Sequence, residues 1–280
     1  MWILNKPDMA LAIGKDIDEL VAHCNDLQIA DKNALKTLYK NYDTNNGSVT
    51  TDDLLPLDAK KNIILRQYES KFQKKQCLRY IRDELLDKAK ITKCPCCGIN
   101  EPSQLDHFMD KSTYGQLACC RLNLVPLCGC CNLKKHDQTY INYVHAYYDR
   151  YPDVDFLITK VTVKNNHIGF VMTIDKSVIT DTNLARRTEH QFSVISDGNR
   201  FQKAGINYLC DFIHGLRCRT NRSLRTMIKR ELDYDMKAYG RNHWKTSIIR
   251  GLLNCLAFDM NVVNEMKKSK VVRMENGIGA

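Results

Sequence analysis

The sequence predicts an α+β chain, mostly helical, with a metal-braced centre and a β-hairpin in its second half. Three observations lead there. Apolar residues recur every three or four positions in "KDIDELVAHCNDL", "DKNALKTLYKNY" and "KFQKKQCLRYIRDELLDKAK", the period of amphipathic helices. Eight of the thirteen cysteines (94, 96, 97, 119, 120, 128, 130 and 131) crowd into one short segment. Two β-branched runs flank Asn165 and Asn166 in "FLITKVTVKNNHIGFVMTI", the pattern of a hairpin.

In chain order, residues 1–90 are expected to form a helical module. Within it, "YDTNNGSVTTDDL" mimics a calcium loop. Counted from Asp43, its glycine comes one position early, and the twelfth position is Leu54 where a bidentate Glu is needed, so it reads as an Asn-Gly turn. Residues 91–150 form the cysteine-bearing core, with a helix expected from about Asn132. Its continuation, "YINYVHAYYDRYP", places Tyr140, Val144 and Tyr147 on one helical face. Residues 151–265 combine the hairpin with helices, helical and basic from about 203, where Arg217, Arg219, Arg222, Arg225, Lys229 and Arg230 lie close together. That cluster reads equally as a substrate-steering face and as a solvated one. In "RNHWKTSIIRGLLNC" the buried face is Trp244, Ile248, Ile249 and Leu252, with His243 packing beside it. Residues 266–280 read as a frayed tail.

At 280 residues the chain can bury a core without disulfides. No apolar run of about 18 residues exists to span a bilayer. "MWILNKPDMA" has no basic stretch before an apolar one, so no signal peptide is read and a reducing, cytoplasmic setting is expected. There a cysteine cluster reads as metal-binding. The net charge of +10 points to a polyanionic partner, through counterion release from phosphate backbones.

"CPCCG" offers Cys94 and Cys97 as a C-x-x-C pair, and "CGCC" offers Cys128 and Cys131 as a second. Together they can make a closed tetrahedral Zn²⁺ site, structural because no position stays open for water. Cys96 and Cys130 keep a C-x-C alternative open, while Cys119 and Cys120 read as buried small hydrophobes.

Between the pairs stand Asp106-His107, then Asn123 in "RLNLVPLC"; Asn132 follows the last cysteine, ahead of Lys134, Lys135 and His136. This order resembles the HNH, or ββα-metal, endonuclease superfamily in its variant with two cysteine pairs. The likeness spans about residues 94–137. It implies a β-hairpin followed by a helix, with a catalytic divalent ion held between them by Asp106 and Asn132. His107 would be the general base, and neutral imidazole near pH 7 suits that role, worth roughly 10²–10⁴ in rate. The two hard oxygen donors suit Mg²⁺ or Mn²⁺. By resemblance, Asn123 fixes the orientation and tautomer of His107. His136, four residues after Asn132, joins the metal site in some relatives, which would move the preference toward Mn²⁺, Ni²⁺ or Zn²⁺. Lys111, Lys134 and Lys135 read as phosphate contacts or as a charged face.

The implied activity is hydrolysis of nucleic-acid phosphodiesters, DNA favoured over RNA. One such site cuts one strand, so double-strand cuts would require a homodimer. The departure from the commonest pattern, His-Asn-Asn for His-Asn-His, bears on the identity of the metal. Family analogy adds anti-phage defence beside an ATPase partner. The alternative is a zinc-stabilised nucleic-acid-binding module, or a recruited subunit inactive without such a partner.

Overall fold

The computed structural model describes residues 3–90, 93–136 and 139–268. The chain divides into two compact units, Met1–Arg150 and Tyr151–Ala280. It mixes helices with two small antiparallel hairpins, as the α+β reading expects.

The first unit opens with α1 (Met9–Leu11), a π-helical turn (Ala12–Asp16), α2 (Ile17–Ala22) and α3 (Ile29–Thr44). Leu35, Leu38, Tyr39 and Tyr42 form the buried stripe of α3 at the expected spacing. The calcium-like stretch is a turn, with Asn46 and Gly47 both at positive φ. Two of its three carboxylates are engaged by other groups. Asp53 caps α4 (Thr51–Leu54) by accepting from the Thr50 backbone N–H at 2.8 Å, and Asp43 takes the Lys6 ammonium at 2.7 Å.

After a 3₁₀ turn (Leu55–Lys60), the strongest amphipathic stretch, 71–90, proves to be helical only in its second part. Helix α5 (Lys61–Lys71) stops, and α6 (Arg79–Lys90) starts eight residues later. Between them Lys75 takes a positive φ, while Phe72 and Leu78 on either side are both buried. The Leu78 N–H closes this turn by donating to the Lys71 carbonyl at 3.1 Å.

Strands β1 (Gln104–His107) and β2 (Leu124–Leu127) pair antiparallel, with Asp106 opposite Val125 and His107 opposite Leu124. Pro126 is tolerated because each strand of a two-stranded sheet has an unpaired side. Helix α7 (Gly129–Lys135) follows and packs on β1. It starts earlier than expected and ends soon after, at His136, where φ is 36°. The aromatic continuation is therefore not a helix. Tyr140–Asn142 is a 3₁₀ turn, and irregular chain carries Tyr143, His145 and Tyr147 into the core.

A buried ion pair fastens the loop before β2 to the N-terminal helices. Arg121, fully buried, donates from Nε and Nη2 to the two carboxylate oxygens of Asp16 and from Nη1 to Glu84, while Tyr80 also donates to Asp16. Arg121→Met is expected to lower stability by about 3–5 kcal/mol, because Asp16 would be left charged and buried. Urea unfolding of wild type and variant measures it.

The second unit begins with β3 (Leu157–Lys164) and β4 (His167–Ile174), joined by Asn165 and Asn166 at φ 51° and 61°, a two-residue turn of the hairpin kind. Helices α8 (Thr182–Ser196), α9 (Arg200–Gly215), α10 (Asn221–Tyr239), α11 (Trp244–Asn254) and α12 (Met260–Lys268) follow. Helical structure thus begins at Thr182 rather than near 203. Its opening is fixed by Asp181, which caps the backbone N–H groups of Asn183 and Leu184. Trp244, Ile248, Ile249 and Leu252 are buried as expected, and Gly251 lets α11 approach β3, where an added Cβ would lie 2.5 Å from the Thr159 carbonyl. Of the basic cluster, Arg225 is structural, its guanidinium held by the carbonyls of Leu252, Leu253, Cys255 and Phe258. The expected tail begins too early, since Met266 is buried in α12; residues 269–280 lie outside the described residues.

Candidate active site

The four cysteines at 94, 97, 128 and 131 converge, with their sulfurs all within 4.8 Å of one another and all four side chains buried. A tetrahedron with Zn–S bonds of about 2.3 Å has S···S edges of about 3.8 Å. The Cys97–Cys128 separation is 3.8 Å. Positive φ at Gly98 lets the chain turn back after Cys97, and backbone N–H groups of Ile99 and Cys128 point at the sulfurs of Cys97 and Cys94, each at 3.4 Å. Such donors stabilise thiolates. These four buried cysteines are close enough to hold one zinc ion. Cys96 and Cys130 stand outside the set, and Cys130 is exposed. Burial pushes the Cys119 and Cys120 thiols up, as suits small core residues.

The cysteine cluster brackets the β1–β2 hairpin. Asp106 and His107 end β1 and are both buried. The His107 Nε2 lies 3.0 Å from the Ala118 carbonyl, which can only accept, so Nε2 carries the proton and Nδ1 the lone pair. Burial drives this imidazole down to about 4, opposed by the Ala118 bond, so the ring is neutral near pH 7. Tyr68 packs against it edge-on, with ring centroids 4.5 Å apart. Burial raises the Asp106 carboxyl, and Lys135 opposes that rise.

Lys135 is not a phosphate contact. Its ammonium is buried, 2.7 Å from Asp106 Oδ2 and 2.9 Å from the His107 carbonyl. It ties α7, which carries Asn132, to the end of β1. Lys111 pairs with Glu69 at 3.1 Å on the surface. Asn132, on α7, donates through Nδ2 to Gln104 Oε1 at 2.8 Å, which leaves Oδ1 as its acceptor. His136 is the C-cap of α7, exposed and at positive φ, so no regular helical face carries its ring with Asn132.

Asn123 is fully buried and makes no bond to His107. Its Oδ1 accepts from the Met109 backbone N–H at 2.8 Å, and its Nδ2 donates to the carbonyls of Met109 and Leu117. Its reach toward His107 is through backbone groups. Asn123 pins the chain two residues after His107 and the residue before Ala118, whose carbonyl sets the tautomer.

Against known proteins, the chain is similar to Protein ea31 of Escherichia phage lambda. The two are 28% identical over 141 residues, 48% of this chain and 47% of the phage protein. The chain thus spans about half the length of that relative. No family model matches the sequence. No solved structure matches it.

Sequence reading missed Lys135 as the partner of Asp106, and missed Tyr42 and His145. Tyr42 donates to Asn123 Oδ1 at 3.1 Å from 81 residues away, and His145 meets the Tyr42 hydroxyl at 3.0 Å. No spacing in the sequence signals such contacts. The one local hint was a histidine set among aromatics in "YVHAYYD".

Proposed function

We propose that the chain is a metal-dependent endonuclease of the HNH kind, hydrolysing phosphodiester bonds in nucleic acid. The carrying observation is the pairing of a neutral, buried His107, its proton fixed on Nε2, with Asp106 at the end of one short hairpin. The helix that follows presents Asn132. A short hairpin followed by a helix that carries these residues supports the reading drawn from the resemblance, and the net charge of +10 suits a phosphate substrate.

In this reading the lone pair of His107 Nδ1 takes a proton from the attacking water. The Ala118 carbonyl steadies the imidazolium that forms by accepting from Nε2. Asp106 and the Oδ1 of Asn132 would hold the divalent ion, Mg²⁺ or Mn²⁺, since both are hard oxygen donors. When bound, the ion supplies positive charge to the pentavalent phosphorane and the departing oxygen. Lys135 holds Asp106 Oδ2, which opposes the effect of burial on this carboxyl and leaves Oδ1 for the ion. The four cysteines would hold a structural Zn²⁺ that braces the hairpin from outside the chemistry. Anti-phage defence beside an ATPase rests on family analogy alone and stands outside this proposal.

Incubation with supercoiled plasmid, single-stranded DNA and total tRNA, each with EDTA, Mg²⁺, Mn²⁺ or Ni²⁺, tests the reading. The expected result is divalent-dependent nicking of DNA. Binding to these substrates with no cleavage under any metal would favour the zinc-stabilised binding module or the recruited subunit.

A further inference from the structure

A chain of hydrogen bonds runs from α3 and the segment after α7 into the loop that holds His107. The backbone N–H of Tyr147 donates to His145 Nδ1 at 3.2 Å, so that nitrogen carries the lone pair. His145 Nε2 therefore carries the proton and donates to the Tyr42 hydroxyl at 3.0 Å. The Tyr42 O–H is then directed at Asn123 Oδ1, at 3.1 Å. Tyr42 and Asn123 are fully buried, and His145 is nearly so. Each donor finds an acceptor, so the order of protons along the chain has one solution.

Packing holds the chain in place. The Phe108 ring lies on His145 with centroids 4.0 Å apart, and Phe108 is the residue after His107. Gly47 approaches so closely that an added Cβ would come within 2.4 Å of the His145 ring. Burying three polar side chains is costly unless every bond is made, and an apolar trio would fill the same space. What the polar trio adds is direction. Its last donor gives Asn123 Oδ1 a further hydrogen bond that matches the orientation in which the amide grips the backbone on both sides of the His107 ring, at Met109 and Leu117.

We propose that Tyr42 and His145 are positioning residues for the nuclease reaction, acting through Asn123 to hold the loop carbonyl that keeps His107 in its Nε2–H form. The inference rests on the endonuclease reading for its catalytic consequence, but not for its structural one. It brings an N-terminal helix, outside the span of the HNH resemblance, into the working of the site.

The test uses the full chain with zinc bound and the variants Tyr42→Phe and His145→Gln. Long-range ¹H–¹⁵N NMR of the histidine rings reads the His107 tautomer directly, alongside kcat and KM for plasmid nicking. Tyr42→Phe is expected to mix the His107 tautomers and to lower kcat roughly 10–100-fold, the usual range for such supporting partners, with KM unchanged. His145→Gln keeps a donor toward Tyr42 and is expected to retain the Nε2–H form and most of kcat. If Tyr42→Phe keeps a single Nε2–H tautomer at His107 with wild-type kcat, the proposal is overturned. Equal losses in Tyr42→Phe and His145→Gln that track melting temperature, with the tautomer intact, also overturn it. If wild type cuts nothing while Tyr42→Phe still mixes the tautomers, the positioning role stands and the endonuclease reading falls.

Discussion

Cys94→Ser and Cys128→Ser are each expected to release one bound zinc ion per chain and to unfold the segment between the two cysteine pairs. The strands in that segment are only four residues each, too short to be stable as an isolated hairpin. Structural zinc sites bind with about 10–16 kcal/mol, a scale that exceeds the whole stability of many domains. Metal analysis of the purified chain should give one zinc in wild type and none in either variant. Limited proteolysis should then cut between residues 94 and 131 in the variants and spare wild type. A metal-free chain that resists proteolysis there would show that packing of Leu122, Leu124 and Leu127, all buried, is sufficient without the ion.

His107→Ala should leave the fold in place and lower the cleavage rate by roughly 10²–10⁴, the usual contribution of a general base. The side chain ends β1, and its removal takes one hydrogen bond to Ala118 and an edge contact with Tyr68, while the backbone pairing with Leu124 remains. Single-turnover cleavage at saturating protein measures the loss. Substrate affinity should be nearly unchanged, because a general base acts in the transition state and does not grip the phosphate backbone. A loss of affinity with an unchanged cleavage rate would make His107 a binding residue and remove it from the chemistry.

The legible parts of this molecule were those whose physics is local. Cys94 and Cys97, like Cys128 and Cys131, are close in sequence and need only a tight turn to face one ion, so spacing alone found the quartet. Asn165 and Asn166 tolerate positive φ, and α11 shows its buried face as a simple helical stripe. The failures came where distant contacts decide. The stretch from Lys71 to Lys90 has one continuous helical period, yet the chain turns at Lys75 and is helical only from Arg79. The aromatics after Lys135 share a face only if a helix carries them, and the helix ends at His136. Lys135 looked like a surface cation because its sequence neighbours are polar; its partner Asp106 lies 29 residues earlier, across the β1–α7 contact. Arg225 was one basic residue among six until four carbonyls were found around it.

The resemblance gave Asn123 an orienting role at His107, and its amide is found bonded to the backbone of Met109 and Leu117 rather than to the His107 ring. A motif can show that an asparagine belongs near a histidine. It does not show that the asparagine bonds the N–H and carbonyl of Met109 and the carbonyl of Leu117, since backbone groups carry no letter.

The most direct measurement of the central claim is a metal add-back. Wild-type protein is treated with EDTA, checked by native mass spectrometry to retain its zinc, mixed with supercoiled plasmid, and then given Mg²⁺ in excess of the chelator. Intact plasmid before addition and nicked plasmid after it, with His107→Ala nicking at least about 10²-fold more slowly, is the predicted result. Plasmid that is bound but stays supercoiled with Mg²⁺, and likewise with Mn²⁺, would contradict the claim that this chain by itself cleaves phosphodiester bonds.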